Sequence, residues 1–149
     1  MRRFILLVLL LVSISSSVFA ECRLDETRWK RVSSAGTYVI YYDKNTAVIK
    51  SPAVFEVWTS DYYSGGVTCK YPACINAGLD KIEHYHDTRV EFNSENYTFL
   101  HKELIAKDNR RYLLYSIPIP TEKQIIRSIS PESMGERIMK TIKQDLYNR

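Results

Sequence analysis

The sequence predicts an α+β fold, an antiparallel sheet of about six strands packed by one C-terminal helix. Two observations carry this reading. From residue 29 to residue 117 the chain is a series of short β-branched and aromatic runs broken by turn residues, with no crossover-length helix between them, which is the pattern of an antiparallel meander. Over residues 129–147, Met134, Ile138, Met139, Ile142 and Leu146 recur at helical spacing. A sheet with one apolar face needs a cover, and this helix supplies it.

Each element has a local reason. A strand over 29–34 ends in Ser33-Ser34-Ala35-Gly36, and a second over 38–43 reads Tyr-Val-Ile-Tyr-Tyr-Asp, so the two form a hairpin. A brief strand over 47–49 precedes Ser51-Pro52, and 54–59 is a further strand. Residues 60–78 show no periodicity and are predicted to be a long irregular loop, the kind of insertion that is usually functional. From 81 to 93 the alternation is clear. Ile82, His84, His86, Thr88, Val90 and Phe92 share one face, while Glu83, Tyr85, Asp87, Arg89 and Glu91 share a second, expected to be wet. Strands over 97–106 and 111–117 follow, the last stopped by Pro118 and Pro120. In the helix, Ser130 is expected to be the cap and Pro131 the first helical residue. Glu132 and Glu136 lie towards the positive end, and Lys140, Lys143 and Arg149 towards the negative one.

Residues 1–20 place Arg2 and Arg3 before an apolar run and end Val-Phe-Ala, the layout of a secretory signal with cleavage after Ala20. Glu21 stands before Cys22 where a lipidation site has a small residue, which argues against a lipoprotein signal. Cleavage leaves residues 21–149 as one domain. The 149-residue chain carries a net charge of +4, and losing the two signal arginines reduces it to +2, too small a surplus for a nucleic-acid partner. In an oxidising compartment Cys69 and Cys74 form a candidate disulfide, worth about 2 kcal/mol for so short a loop, with Cys22 left over; pairing through Cys22 stays open.

Chemistry-bearing patterns are few. There is no Gly-x-Ser-x-Gly, no cysteine framed by histidine and no glycine-rich phosphate loop, and Glu83 with Asp87 are expected on an exposed face where neither is desolvated, so no enzyme activity and no cofactor are expected. His84 and His86 project from one side of a strand and are weak metal candidates, since no third ligand is indicated nearby. Tyr62, Tyr63 and Tyr71, set among serine and glycine, are candidate protein-binding residues; the alternative is that they close the end of the sheet.

Trp29 opening the first strand, Tyr41-Tyr42-Asp43 ending the second, Val57-Trp58 ending 54–59, and Ile129-Ser130-Pro131-Glu132-Ser133 with Glu136 and Ile138 together resemble the surface-adhesin protein E-like family. The resemblance runs from Trp29 to about Ile142. It implies an exported bacterial domain in the periplasm or at the cell surface, with an adhesin role towards extracellular host proteins. Two departures stand out: Glu132 replaces the usual glycine, and the cysteine pair expected between a late strand and the helix is missing. A periplasmic inhibitor of an envelope hydrolase and a metal-capturing envelope protein are the competing functions. If the signal reading holds, the exported product begins at Glu21; N-terminal sequencing of the secreted chain checks this, and a product retaining residues 1–20 contradicts it.

Overall fold

The computed structural model describes residues 24–68 and 82–148. The segment 1–20, Cys22, Cys69, Cys74 and Tyr71 lie outside the described residues. The elements are β1 (Trp29–Ala35), β2 (Tyr38–Asp43), β3 (Val48–Ile49), β4 (Val54–Thr68), β5 (Ile82–Asn93), β6 (Thr98–Lys107), β7 (Leu113–Pro118), a 3-10 turn (Thr121–Lys123), β8 (Arg127–Ser128) and the helix α1 (Met134–Tyr147). Six strands form an antiparallel sheet in the order β1-β2-β4-β5-β6-β7, with the short β3 paired to β4 and β8 to β6. The expected α+β architecture is therefore observed. Among the described residues no helix is long and apolar enough to cross a membrane.

β4 differs most from expectation. It continues nine residues past Thr59, into the stretch expected to be irregular. Cross-strand pairing explains this: Tyr62 lies opposite Val39 of β2 and Tyr85 of β5, so the backbone there is held from both sides. The polar, glycine-containing composition that reads as a loop is tolerated because the strand bulges between Tyr62 and Val67, where Gly66 adopts φ +67. A Cβ on Gly66 would sit 2.2 Å from Cγ2 of Ile82.

The helix lies on one face of the sheet. Phe55, Val57, Val90 and Phe92 from the central strands, Tyr42 from β2, and Met139, Ile142 and Leu146 from α1 form one buried cluster, completed by Ile129. Phe55 and Phe92 are register partners with ring centroids 5.3 Å apart. Each fully buried aliphatic side chain on α1 contributes about 1.5–3 kcal/mol. Polar ties fix the helix as well. Asp145 accepts the Tyr42 hydroxyl and pairs with Lys30, Lys143 Nζ donates to Ser94 Oγ at 2.8 Å, and the Tyr147 hydroxyl donates to the Ser51 carbonyl at 2.6 Å. Asp145 sits in the last turn, where the helix dipole disfavours a carboxylate, so its place there is owed to these sheet contacts.

The helix starts three residues later than expected. Ser133, not Ser130, is the cap: its Oγ accepts from the Glu136 amide at 3.2 Å, and the Glu136 carboxylate accepts the Glu132 amide at 2.6 Å. Ser130 and Pro131 belong to the preceding turn, closed by the Ser133 amide on the Ser130 carbonyl. Glu132 is forced to φ 61, a left-handed conformation that costs a side-chain-bearing residue about 1–2 kcal/mol. Because its amide bond to Glu136 needs no side chain, Glu132→Gly is expected to stabilise the fold by about 0.5–1 kcal/mol after the extra unfolded-state entropy of glycine is subtracted. Urea unfolding checks this through a higher midpoint at unchanged slope.

Candidate functional site, the helix-free face of the sheet

The alternation that buries Phe55 and Val57 under α1 sends Trp58, Ser60 and Tyr62 to the opposite face, opposite Arg89, Asp87 and Tyr85 of β5. This face is not wet as expected. Tyr85, Asp87 and, at the strand's start, Glu83 are 3%, 3% and 1% exposed. The physical reason lies outside β5. Leu24 and Trp29 fold over Tyr85, with Tyr41, Trp58 and Tyr62 packed around them, and the turn after β6 lays Arg111 across the same ring. The sheet therefore has two covered faces, the second only in part.

Between these covers is a cavity of about 260 Å³ lined by Arg28, Trp29, Trp58, Asp87, Lys107 and Arg111, with Ile105 at its wall. Asp87 is its electrostatic anchor. The Ser60 hydroxyl donates to it at 2.5 Å, the Lys107 ammonium pairs with it, and Arg111 Nη2 reaches it at 3.2 Å. Arg111 has its guanidinium 4.8 Å from the Tyr85 ring and 5.6 Å from the Trp29 ring, while its Nη1 is buried without a hydrogen-bond partner among the described residues. Arg28 lies 5.7 Å from Trp29 and donates through Nε to Asp43 at 2.6 Å, which raises its already high pKa. Further along the face, Glu56 and Glu91 are direct register partners. Burial pushes both carboxyls up, but the ammonium groups of Lys102 and Lys50 at 2.5–2.8 Å outweigh it and hold them below the ordinary value.

The fold separates the candidate tyrosines. Tyr62 joins the aromatic cluster on the helix-free face, its ring 4.9 Å from Tyr85. Tyr63 turns to the helix side, stacks on Tyr38 at 5.8 Å and meets the edge of His86 at 5.2 Å. Neither stands in an irregular loop, since both lie within β4. His84 Nδ1 is 3.0 Å from the Tyr63 carbonyl, and His86 Nε2 contacts the Glu83 carboxylate, which also accepts the Tyr115 hydroxyl at 2.6 Å. Glu83 and Asp87, expected as an exposed carboxylate pair, are thus buried and held by different partners. Among the described residues no group of three His, Cys, Asp or Glu side chains is placed to hold a metal. His101 lies apart, opposite Val90 and 5.2 Å from Phe99.

No family model matches the sequence, and neither does any curated protein. Among solved structures, the crystal structure of protein E from non-typeable Haemophilus influenzae shares the fold. Its TM-score is 0.52 at 12% identity, covering 87% of this chain and 82% of that one. At that identity the likeness is one of fold.

Arg28, Trp58, Lys107 and Arg111 were not among the candidate residues in the sequence. One signal pointed their way: Tyr85 on a face expected to be wet, and Trp58 out of step with Phe55 and Val57, are large aromatic groups that call for a second cover. Arg111 gave no such signal, because a turn arginine reads as solvated.

On the helix side, Asp61, Thr59, His101, Ile129 and Gly135 border a smaller cavity of about 150 Å³ near the start of α1. Burial raises the Asp61 carboxyl to about 6, partly opposed by His86 across the strand pair, and burial lowers His101, aided by Arg127. A carboxyl with a raised folded-state pKa stabilises the fold below its unfolded value of 3.8, and that contribution is lost as pH rises through about 6. Asp61→Asn is therefore expected to be more stable than the parent at pH 7, by on the order of 1–3 kcal/mol, with the gap closing as pH falls towards 4. Unfolding midpoints measured across that range check it, and a gap independent of pH contradicts it.

Proposed function

We propose that this chain is an exported, non-enzymatic binding module of the bacterial envelope, adhesin-like, which recognises extracellular protein through the helix-free face of its sheet. The observation that carries the reading is the recess on that face, where two tryptophans and three cationic side chains surround a single carboxylate, Asp87. Tryptophan, tyrosine and arginine are the residues that dominate protein contacts, because they bury large areas at small entropic cost. The secretory layout of residues 1–20 and the fold shared with protein E support export and an envelope setting. No nucleophile is framed by a base in the sequence, which favours binding over catalysis.

In this reading Tyr62, on the helix-free face beside Tyr85, is a contact residue, and Tyr71, outside the described residues, is a candidate contact by residue type alone. Tyr63, the third candidate, faces the helix side, where its ring is engaged by Tyr38 and His86, and so lies away from the proposed contact face. The two neighbouring tyrosines lie on opposite faces of the sheet and both pack on other rings, so their alanine variants report on the two faces separately, with attachment scored on the folded fraction of each. Tyr62→Ala is expected to weaken attachment to immobilised extracellular-matrix proteins by about tenfold or more, the effect of losing a contact worth about 1.4 kcal/mol. Tyr63→Ala is expected to lower the melting temperature while leaving attachment of the folded fraction unchanged. Parental attachment by folded Tyr62→Ala would sink the site assignment.

A further inference from the structure

We infer that the recess on the helix-free face is a receptor for one carboxylate carried on an apolar or aromatic body, the chemistry of an acidic side chain or of a chain-terminal residue in a protein partner. The inference rests on the proposed binding role of that face and names what the face recognises.

Charge is the first argument. Arg28, Lys107 and Arg111 line the recess and Asp87 is its one acidic lining group, with Asp43 and Asp25 acting on Arg28 from outside the lining. A lining of three cations and one carboxylate attracts a further carboxylate. The recess is partly open to solvent, with Arg28 half exposed, so its cations are accessible to an incoming anion.

Hydrogen bonding is the second argument, and it points to the same group. Asp87 is already engaged by Ser60, Lys107 and Arg111 Nη2, whereas Arg111 Nη1 has no acceptor among the described residues. A buried donor left unpaired costs about 1–3 kcal/mol, a cost that a carboxylate oxygen would remove once a small shift of the guanidinium between its two rings opens Nη1 to the recess. A guanidinium pairs with a carboxylate through parallel N–H donors, a geometry that a lysine ammonium does not reproduce.

Preorganisation is the third. Arg111 sits at φ 64, a strained conformation for a residue with a side chain, and its guanidinium lies against the Trp29 and Tyr85 rings. The Asp87 contact and the two rings hold the side chain at the recess before any ligand arrives, which reduces the entropy lost on binding. Trp29 and Trp58 offer ring surface beside the cations, so the carboxylate needs an apolar body to gain from both. At about 260 Å³ the recess suits one amino-acid side chain or terminal residue, being smaller than the usual site for a drug-sized ligand.

The test uses small probes on the folded mature protein, read by tryptophan fluorescence and by the NMR signals of the arginine side chains. The probes are N-acetylphenylalanine, its carboxamide, the capped dipeptide amide of phenylalanine and glutamate, and inorganic phosphate. The carboxylates are expected to bind with millimolar or tighter affinity, to shift the Arg111 signal, and to lose about tenfold when the carboxylate becomes a carboxamide. Preference between the first and third probes tells a chain terminus from an acidic side chain, and either preference supports the inference. Arg111→Lys keeps the charge and removes the fork, and is expected to lose the carboxylate preference. The acid-against-amide comparison on the parent protein stands even if that variant does not fold. Equal binding of acid and amide, no binding of either, or tighter binding of inorganic phosphate would each overturn it. Attachment to matrix proteins without carboxylate binding removes this inference and leaves the protein-binding role standing. Carboxylate binding without such attachment does the reverse.

Discussion

The register between β4 and β5 is the constraint on which the rest of this molecule depends. Val57 opposite Val90 and Phe55 opposite Phe92 place an apolar quartet on one face. The same pairing places Trp58 beside Arg89, and Ser60 beside Asp87, on the other. A slip of one residue would exchange the two sets, exposing the phenylalanines and burying the charges under α1. One pairing thus decides both what the helix covers and what the open face presents.

The two faces are closed by different means. The helix side is built mainly from aliphatic and aromatic side chains, with Asp61, Thr59 and His101 around a small cavity near the start of α1 and Asp145 meeting Lys30 and Tyr42 at its margin. On the far side the buried Asp87 stays compatible with the interior because a hydroxyl, an ammonium and a guanidinium all reach it. That solution brings several cations to one anion and so leaves a surplus of positive charge at the surface. In the proposed reading, a covering device for a buried carboxylate doubles as an anion-attracting recess.

Much of the fold was legible in the chain. The end of the β5 alternation, Val90 and Phe92, and the helical spacing of Met139, Ile142 and Leu146 follow from the periods of the two structures and match the observed core, whereas Ile82 at the start of that face is exposed. Legibility failed where long-range pairing overrode composition. Tyr62 and Tyr63 sit among serine and glycine, and only the neighbouring β2 and β5 backbones make them strand. It failed again at the helix start, where Ser130-Pro131 and Ser133 both satisfy the local rules for a cap and the docking of Ile129 into the core goes with the later choice. Of the site, Tyr62 was singled out for its type, whereas Arg28, Lys107 and Arg111 are separated along the chain and no local pattern joins them.

What the sequence by itself determined was therefore local and periodic: most of the strand runs, the helix, and the apolar end of β5 at Val90 and Phe92. Period and turn chemistry act over a few residues, so one chain suffices to read them. Only the tertiary structure decided that the second face is covered, that Glu83 and Asp87 are buried, and that three distant cations converge beside two tryptophans. Burial and charge convergence depend on segments brought together by the sheet order, with Arg28 ahead of β1 and Arg111 beyond β6. No spacing in the sequence encodes that distance.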